Sequence, residues 1–157
     1  MTDAQLAPEV PFYHVCFAVP DLQAAMDDLT RAVGCRWCDP WDGRLGDDSF
    51  TTTFTLAGPP HIELVSATSG PWDSSGGARF DHLGYWTSSI TAASKRLSGN
   101  GFPEHFTGCP VGQPFIGHHI QSLGARIELF DIAAQPYFLD AVPGSERMPA
   151  LDENALR

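Results

Sequence analysis

Two acids stand inside apolar runs: Glu63 in "HIELVSA" (His61 to Ala67) and Glu128 in "RIELFDI" (Arg126 to Ile132). Each run reads as a polar residue, Ile, Glu, Leu and an apolar residue. An isolated buried carboxylate is costly, whereas a divalent cation compensates two at once. Upstream of each acid lies a histidine at the head of another strand-like run, His14 and His82. Imidazole and carboxylate together suit Zn, Ni, Co, Mn or Fe, and two of each leave room for water or substrate on a five- or six-coordinate ion. A single strand histidine or glutamate is as readily a hydrogen-bonded core residue or a solvated one. Recurrence of both types at matched places points to one shared divalent ion held by His14, Glu63, His82 and Glu128.

The recurrence is part of a longer internal repeat. "HVCFAVPDLQAAMDDLTRAVG" from His14 lies over "HLGYWTSSITAASKRLSGNG" from His82, with Phe17 on Tyr85, Leu22 on Ile90, Ala24-Ala25 on Ala92-Ala93 and Leu29 on Leu97. In each copy a β-branched and aromatic strand leads into a helix. The first carries Leu22, Ala25, Met26, Leu29 and Val33 at helical spacing, with Asp21 to cap it and Gly34 to stop it. The second is capped by Ser88 or Ser89 and carries Ile90, Ala93 and Leu97. Further strands are expected near Cys35 to Cys38, Ser49 to Ala57 and His61 to Ser66, then Glu104 to Thr107, Phe115 to Gln121 and Ala125 to Asp131. The fold class is therefore α+β: module one over 12–68, a Gly/Ser/Pro-rich linker over 69–78, module two over 79–133 and a C-terminal arm over 134–157, within a single 1–157 domain.

Side chains alternate along a strand. His14 thus shares a face with Cys16 and Ala18, leaving Val15, Phe17 and Val19 to bury against a helix; His82 shares a face with Gly84 and Trp86, opposite Leu83 and Tyr85. Glu63 and Glu128 likewise face away from the helix layer. His61 and Arg126, two residues before the acids, fall on the ligand face, as do Trp86 and Phe130, and Phe54, Trp72 and Phe115 are placed to approach it. "GHHI" sends one of His118 and His119 inward; the sequence leaves open which. These residues are the candidate pocket lining, suited to a substrate with an apolar or aromatic part.

Composition narrows the partners. The chain has 157 residues, 43% of them hydrophobic and 18% charged, which suits a globular fold. A net charge of -10 without Lys/Arg clusters argues against nucleic acid and against coenzyme A phosphates. No apolar stretch approaches membrane-spanning length and the N-terminus lacks signal features, so a cytoplasmic location is expected. "CRWC" (Cys35 to Cys38) lacks the second pair of a zinc ribbon and is read as structural.

From Phe12 to Ile132 the sequence resembles the vicinal oxygen chelate superfamily, which includes lactoylglutathione lyase, methylmalonyl-CoA epimerase, extradiol dioxygenases, fosfomycin-resistance enzymes and bleomycin-binding proteins. The opening "HVCFAVPDLQAAMDDL" is most similar to the epimerase and lyase branch, whose metal positions fall on His14, Glu63, His82 and Glu128. Methylmalonyl-CoA epimerases usually carry Gln at one of these four places, where this chain has Glu. The resemblance implies two βαβββ modules forming a cupped, eight-stranded mixed sheet with helices outside, one divalent ion, and a homodimer. It also implies a metal-dependent isomerase, epimerase or lyase acting on a small carbonyl substrate through a metal-stabilised enolate, with Glu128 as first choice of base and Glu63 as second. The competing readings are an iron-dependent extradiol-type dioxygenase, ordinarily built on two His and one Glu, and a metal-free drug-binding resistance protein.

Overall fold

The computed structural model describes residues 12–108, 115–136 and 138. Cys109 and the C-terminal arm beyond residue 138 lie outside them. The order is β1 (Phe12–Ala18), α1 (Leu22–Val33), β2 (Trp41–Leu45), β3 (Asp48–Phe54) and β4 (His61–Ala67), then β5 (Arg79–Thr87), α2 (Ile90–Gly99), β6 (Glu104–Thr107), β7 (Phe115–Ile120) and β8 (Ala125–Asp131). Each half is strand, helix and three strands. They join in one eight-stranded sheet of order β2-β3-β4-β1-β5-β8-β7-β6.

The helices start and stop where local chemistry directs. Asp21 accepts from the Ala24 amide at 2.9 Å, and Gly34 ends α1 at φ 74°, a left-handed conformation that glycine adopts without a Cβ penalty. Ser89, rather than Ser88, caps α2 through the Ala92 amide.

Within each half the first strand runs parallel to the last, β1 to β4 and β5 to β8. Across the middle, β1 and β5 are antiparallel, with Val15 opposite its own counterpart Leu83. A local twofold relation therefore passes through that pair. Two register shifts interrupt the seam, one between Phe12 and His14 and one between Cys16 and Phe17, opposite His82 and Phe80. The first puts the extra residue, Tyr13, on β1; the second puts Asp81 on β5. A β-bulge of this kind breaks alternation and re-aims a side chain. Tyr13 and Asp81 both end up buried, as do the histidines that follow them.

Three expectations need correction. The strand placed at Cys35 to Cys38 is only an isolated bridge, Trp37 to Thr55; the strand is Trp41–Leu45, which pairs with β3 through the two-residue connection Gly46-Asp47. The 69–78 segment is more than a linker, since it contains a 3-10 turn, Gly70–Trp72, whose Trp72 is buried. Finally, the apolar faces of β1 and β5 are not covered by helices. The helix α1 has no fully buried residue and lies over β4, while α2 lies over β7 and β8. Phe12, Phe17 and Phe80 consequently remain exposed on the convex side of the seam.

Much of the buried apolar mass is inside the cup instead. One cluster contains Tyr13, Cys38, Phe54, Trp86 and Phe138; the other contains Cys16, Ala18, Val65, Ala67, Trp72 and Phe115. Cys16, Cys35 and Cys38 are free thiols. No helix among the described residues is long and apolar enough to cross a membrane.

Candidate metal centre and cavity

His14 and His82 occupy the two central strands, and Glu63 and Glu128 the strands parallel to them. Pairing in register carries each acid to the seam, with Cys16 opposite Glu63 on one side and Gly84 opposite Glu128 on the other. The side chains converge. His14 Nε2 lies 2.8 Å from His82 Nε2 and 3.0 Å from Glu63 Oε2. From His82 Nε2 the distance is 3.3 Å to Glu63 Oε2 and 3.5 Å to Glu128 Oε1.

The His14, Glu63 and His82 atoms all lie within 4.8 Å of one another, as atoms that share a small cation do, whereas Glu128 approaches His82 from outside that group. The donor chemistry fits as well. His82 Nδ1 faces the Asp81 carboxylate at 2.9 Å, and a carboxylate only accepts, so Nδ1 carries a proton and Nε2 is the nitrogen that offers a lone pair once its own proton is displaced. Glu128 Oε2 is buried without a hydrogen-bond partner among the described residues, and the buried Glu63 Oε2 faces the two histidine nitrogens. Three negative or lone-pair-bearing ligands this close require a proton or a cation among them.

The four groups are not electrostatically equivalent. Burial depresses the His14 pKa to about 4, although Glu63 beside it works the other way. Burial opposes ionisation of Glu63 too, but its contacts with His14 and His82 prevail and hold it well below the ordinary carboxylate range. Thr52 also donates to its other oxygen at 2.7 Å. Around His82, burial is outweighed by Cys16, Glu128 and Asp81, which raise its pKa. Glu128 is raised to about 7, chiefly by burial and partly by Glu63, against the pull of His82.

Beside the centre is a cavity of about 490 Å³ whose lining includes Glu63 and Glu128 with Tyr13, Trp41, Phe54 and Trp86. Phe130 and Phe138 complete this aromatic flank, and Phe50, Trp72 and Phe115 line the opposite one. Trp86, Tyr13, Phe54 and Trp41 form a run of near-parallel rings with centroid separations of 4.4, 5.9 and 5.7 Å. No Lys, Arg or His lines it among the described residues. A larger open groove of about 740 Å³ over Asp42 to Arg44, Ser49 to Thr51 and Ser66 to Thr68 contains none of His14, Glu63, His82 and Glu128.

The other residues expected in the pocket divide. Trp86 and Phe130 line the cavity, as do Phe54, Trp72 and Phe115. His61 is on the expected face but does not reach the cavity: its Nδ1 donates to the Thr55 carbonyl at 2.7 Å and its ring packs on Phe138. Arg126 turns aside to Asp81. Of the histidine pair, His118 points outward, bonded to Ser94 of α2 at 2.9 Å and to the Phe102 carbonyl. His119 takes the inner face but stands exposed near His105, away from the lining. Sequence reasoning misses Tyr13 and Asp81, which owe their direction to the bulges, and also Trp41, Phe50, Thr52 and Phe138 of the lining.

A duplicated βαβββ cup with inward His and Glu pairs at its seam defines the vicinal oxygen chelate class. Comparison agrees: residues 13–120 match the model of the Glyoxalase/Bleomycin resistance protein/Dioxygenase superfamily, and the chain belongs to that superfamily. No curated protein sequence matches it. Among solved structures it is similar to methylmalonyl-CoA epimerase from Mycobacterium tuberculosis, at 18% identity and a TM-score of 0.62, covering 85% of this chain and 95% of that one. A Streptomyces coelicolor methylmalonyl-CoA epimerase gives 15% and 0.59 over 80% and 99%. A variant of 4-hydroxymandelate synthase from Streptomyces coelicolor gives 11% and 0.57, covering 82% of this chain and 50% of the other. At these identities the likeness is one of fold.

Proposed function

We propose that this protein is a divalent-metal-dependent isomerase, epimerase or lyase that acts on a small carbonyl substrate with an apolar or aromatic part by way of an enolate. His14, Glu63 and His82 would hold the ion, with Glu128 as the fourth, looser ligand. The ion when bound supplies Lewis acidity toward the substrate carbonyl, lowering the cost of the negative charge that an enolate places on oxygen. Zn, Ni, Co, Mn and Fe all suit the donor set.

The protein's own part is proton transfer and positioning. Glu128 is the proposed base: it lines the cavity, one oxygen has no hydrogen-bond partner, and its pKa of about 7 suits proton exchange at neutral pH. Glu63, tied to Thr52 and both histidines, is the better anchor and the second choice of base. The aromatic flank would seat a ring or acyl chain and exclude water from the reacting carbon.

The observation that carries the reading is the cavity-facing, unpartnered Glu128 carboxylate beside a three-residue His14, Glu63 and His82 cluster. The reading includes a homodimer, supported by the bare aromatic strip of Phe12, Phe17 and Phe80 on the convex seam. Elemental analysis of purified wild type and Glu128→Gln, paired with NMR detection of deuterium exchange from D2O into aryl α-hydroxy ketones, tests it. One equivalent of a divalent ion in both proteins, with exchange in the wild type alone, is the expected result. Substoichiometric metal in both would overturn the proposal.

A further inference from the structure

In a regular strand Asp81 and His82 would project to opposite faces. The bulge in β5 turns them the same way, so that the Asp81 carboxylate lies behind the imidazole whose far nitrogen faces the centre. That carboxylate is itself fixed. Arg126 Nη2 reaches its two oxygens at 2.6 and 2.5 Å, Arg79 donates to Oδ1 at 2.9 Å, and Arg126 is further tied to the Pro71 carbonyl at 2.9 Å. Arg126 is the register partner of His82 across β5 and β8, and it stands two residues before Glu128. One side chain therefore braces the support of His82 from the strand that also delivers Glu128.

The other half has no such arrangement. Tyr13 occupies the position equivalent to Asp81, before His14, and brings a ring in place of a carboxylate. Behind His14, on the side away from the centre, there is packing rather than a hydrogen bond: Nδ1 is buried with no hydrogen-bond partner among the described residues, and the ring lies flush against Gly84.

We infer that Asp81, braced by Arg126, is a positioning residue that fixes the tautomer and ring orientation of His82, making His82 the ligand anchored by charge and His14 the one held by packing. Charged partners behind a ligating imidazole set its orientation and raise its basicity, and losing one commonly costs 10- to 100-fold in metal affinity. The inference rests on the metal reading above and adds an inequality between the two histidines that the duplicated sequence conceals.

The test is zinc affinity of the full chain, measured by competition with a chromophoric chelator at pH 7.5, together with the visible absorption of the cobalt-loaded protein. Asp81→Asn, which keeps shape and loses charge, is expected to weaken zinc binding about 10- to 100-fold and to shift the cobalt spectrum. Arg126→Lys, which keeps the charge without the fork, is expected to fall between it and the wild type. Thermal unfolding of the metal-free variants separates misfolding from lost positioning, and a variant that keeps the wild-type midpoint while losing affinity supports the inference. Wild-type affinity and spectrum in Asp81→Asn would overturn the inference and leave the metal reading intact. A wild-type protein that binds no zinc, cobalt, nickel, manganese or iron would overturn both.

Discussion

His14 Nε2 and His82 Nε2 lie 2.8 Å apart although 68 residues separate them in the chain. The contact exists because β1 and β5 pair antiparallel at the middle of the sheet, so equivalent positions of the two modules meet at their common seam. Everything that stiffens this seam stiffens the centre.

Binding of a divalent ion should tighten as pH rises. His14, with a pKa near 4, and Glu63, held low, are already deprotonated at neutral pH. Glu128, at about 7, and His82, raised above the ordinary histidine range, still bind protons that the ion must displace. Zinc affinity measured from pH 5.5 to 8.5 should therefore increase through pH 7 and flatten above the higher pKa, with proton release detectable by calorimetry in buffers of different ionisation enthalpy. A pH-independent affinity across that range would contradict the assignment.

Gly84→Ala should damage the centre sterically. A Cβ at Gly84 would sit 2.0 Å from His14 Cε1 and 2.3 Å from its Nδ1, and the ring is buried with no space to retreat. The expected outcome is a loss of about 1–3 kcal/mol in urea denaturation together with weakened metal binding. Unchanged metal content and stability would mean that His14 is free to swing aside.

Trp86 joins the aromatic flank to the core. It is buried, stacks on Tyr13 at 4.4 Å and meets Phe130 edge-on. Trp86→Ala should cost about 3–5 kcal/mol by chemical denaturation. Trp86→Phe, smaller in loss, should stay folded and weaken binding of aryl ketones relative to aliphatic ones of similar size. Equal weakening of both series would argue against a ring subsite.

Phe17 and Phe80 face each other across the convex seam with ring centroids 5.9 Å apart, and both are exposed. Replacing both by Glu should convert a dimer to a monomer in light scattering, while metal content stays unchanged because the centre lies on the opposite face of the sheet. A monomeric wild type would sink the dimer reading directly.

What could be read from the amino acids was whatever follows from alternation and duplication. Glu63 and Glu128 sit two residues after His61 and Arg126 in matching runs, and β4 and β8 remain regular, so their inward direction follows from the period of two. The central strands are different, because no local pattern in "FYHV" or "FDHL" announces a bulge, and each bulge inverts the face assigned to the residue before the histidine. Position of the helices was equally hidden. Apolarity alone points the Phe17 side toward a helix, yet α1 settles on β4, a choice set by tertiary packing. Alternation puts His61 and Arg126 on the face of the acids, but their neighbours come from far along the chain: Phe138 in one case and Asp81 in the other. Residue content points to Cys35 to Cys38 as the second strand, whereas the two-residue hairpin connection Gly46-Asp47 in "RLGDDS" marks Trp41–Leu45.

The twofold relation through Val15 and Leu83 has a further consequence. Two separate chains of one module, paired across this strand, would place identical neighbours beside both histidines and make the two flanks of the cup the same. Covalent fusion lifts that constraint. Tyr13 was free to become part of an aromatic wall while Asp81, its counterpart, joined a buried ionic brace. The two halves thus present chemically unlike surroundings to their histidines, an asymmetry that two identical paired modules would lack.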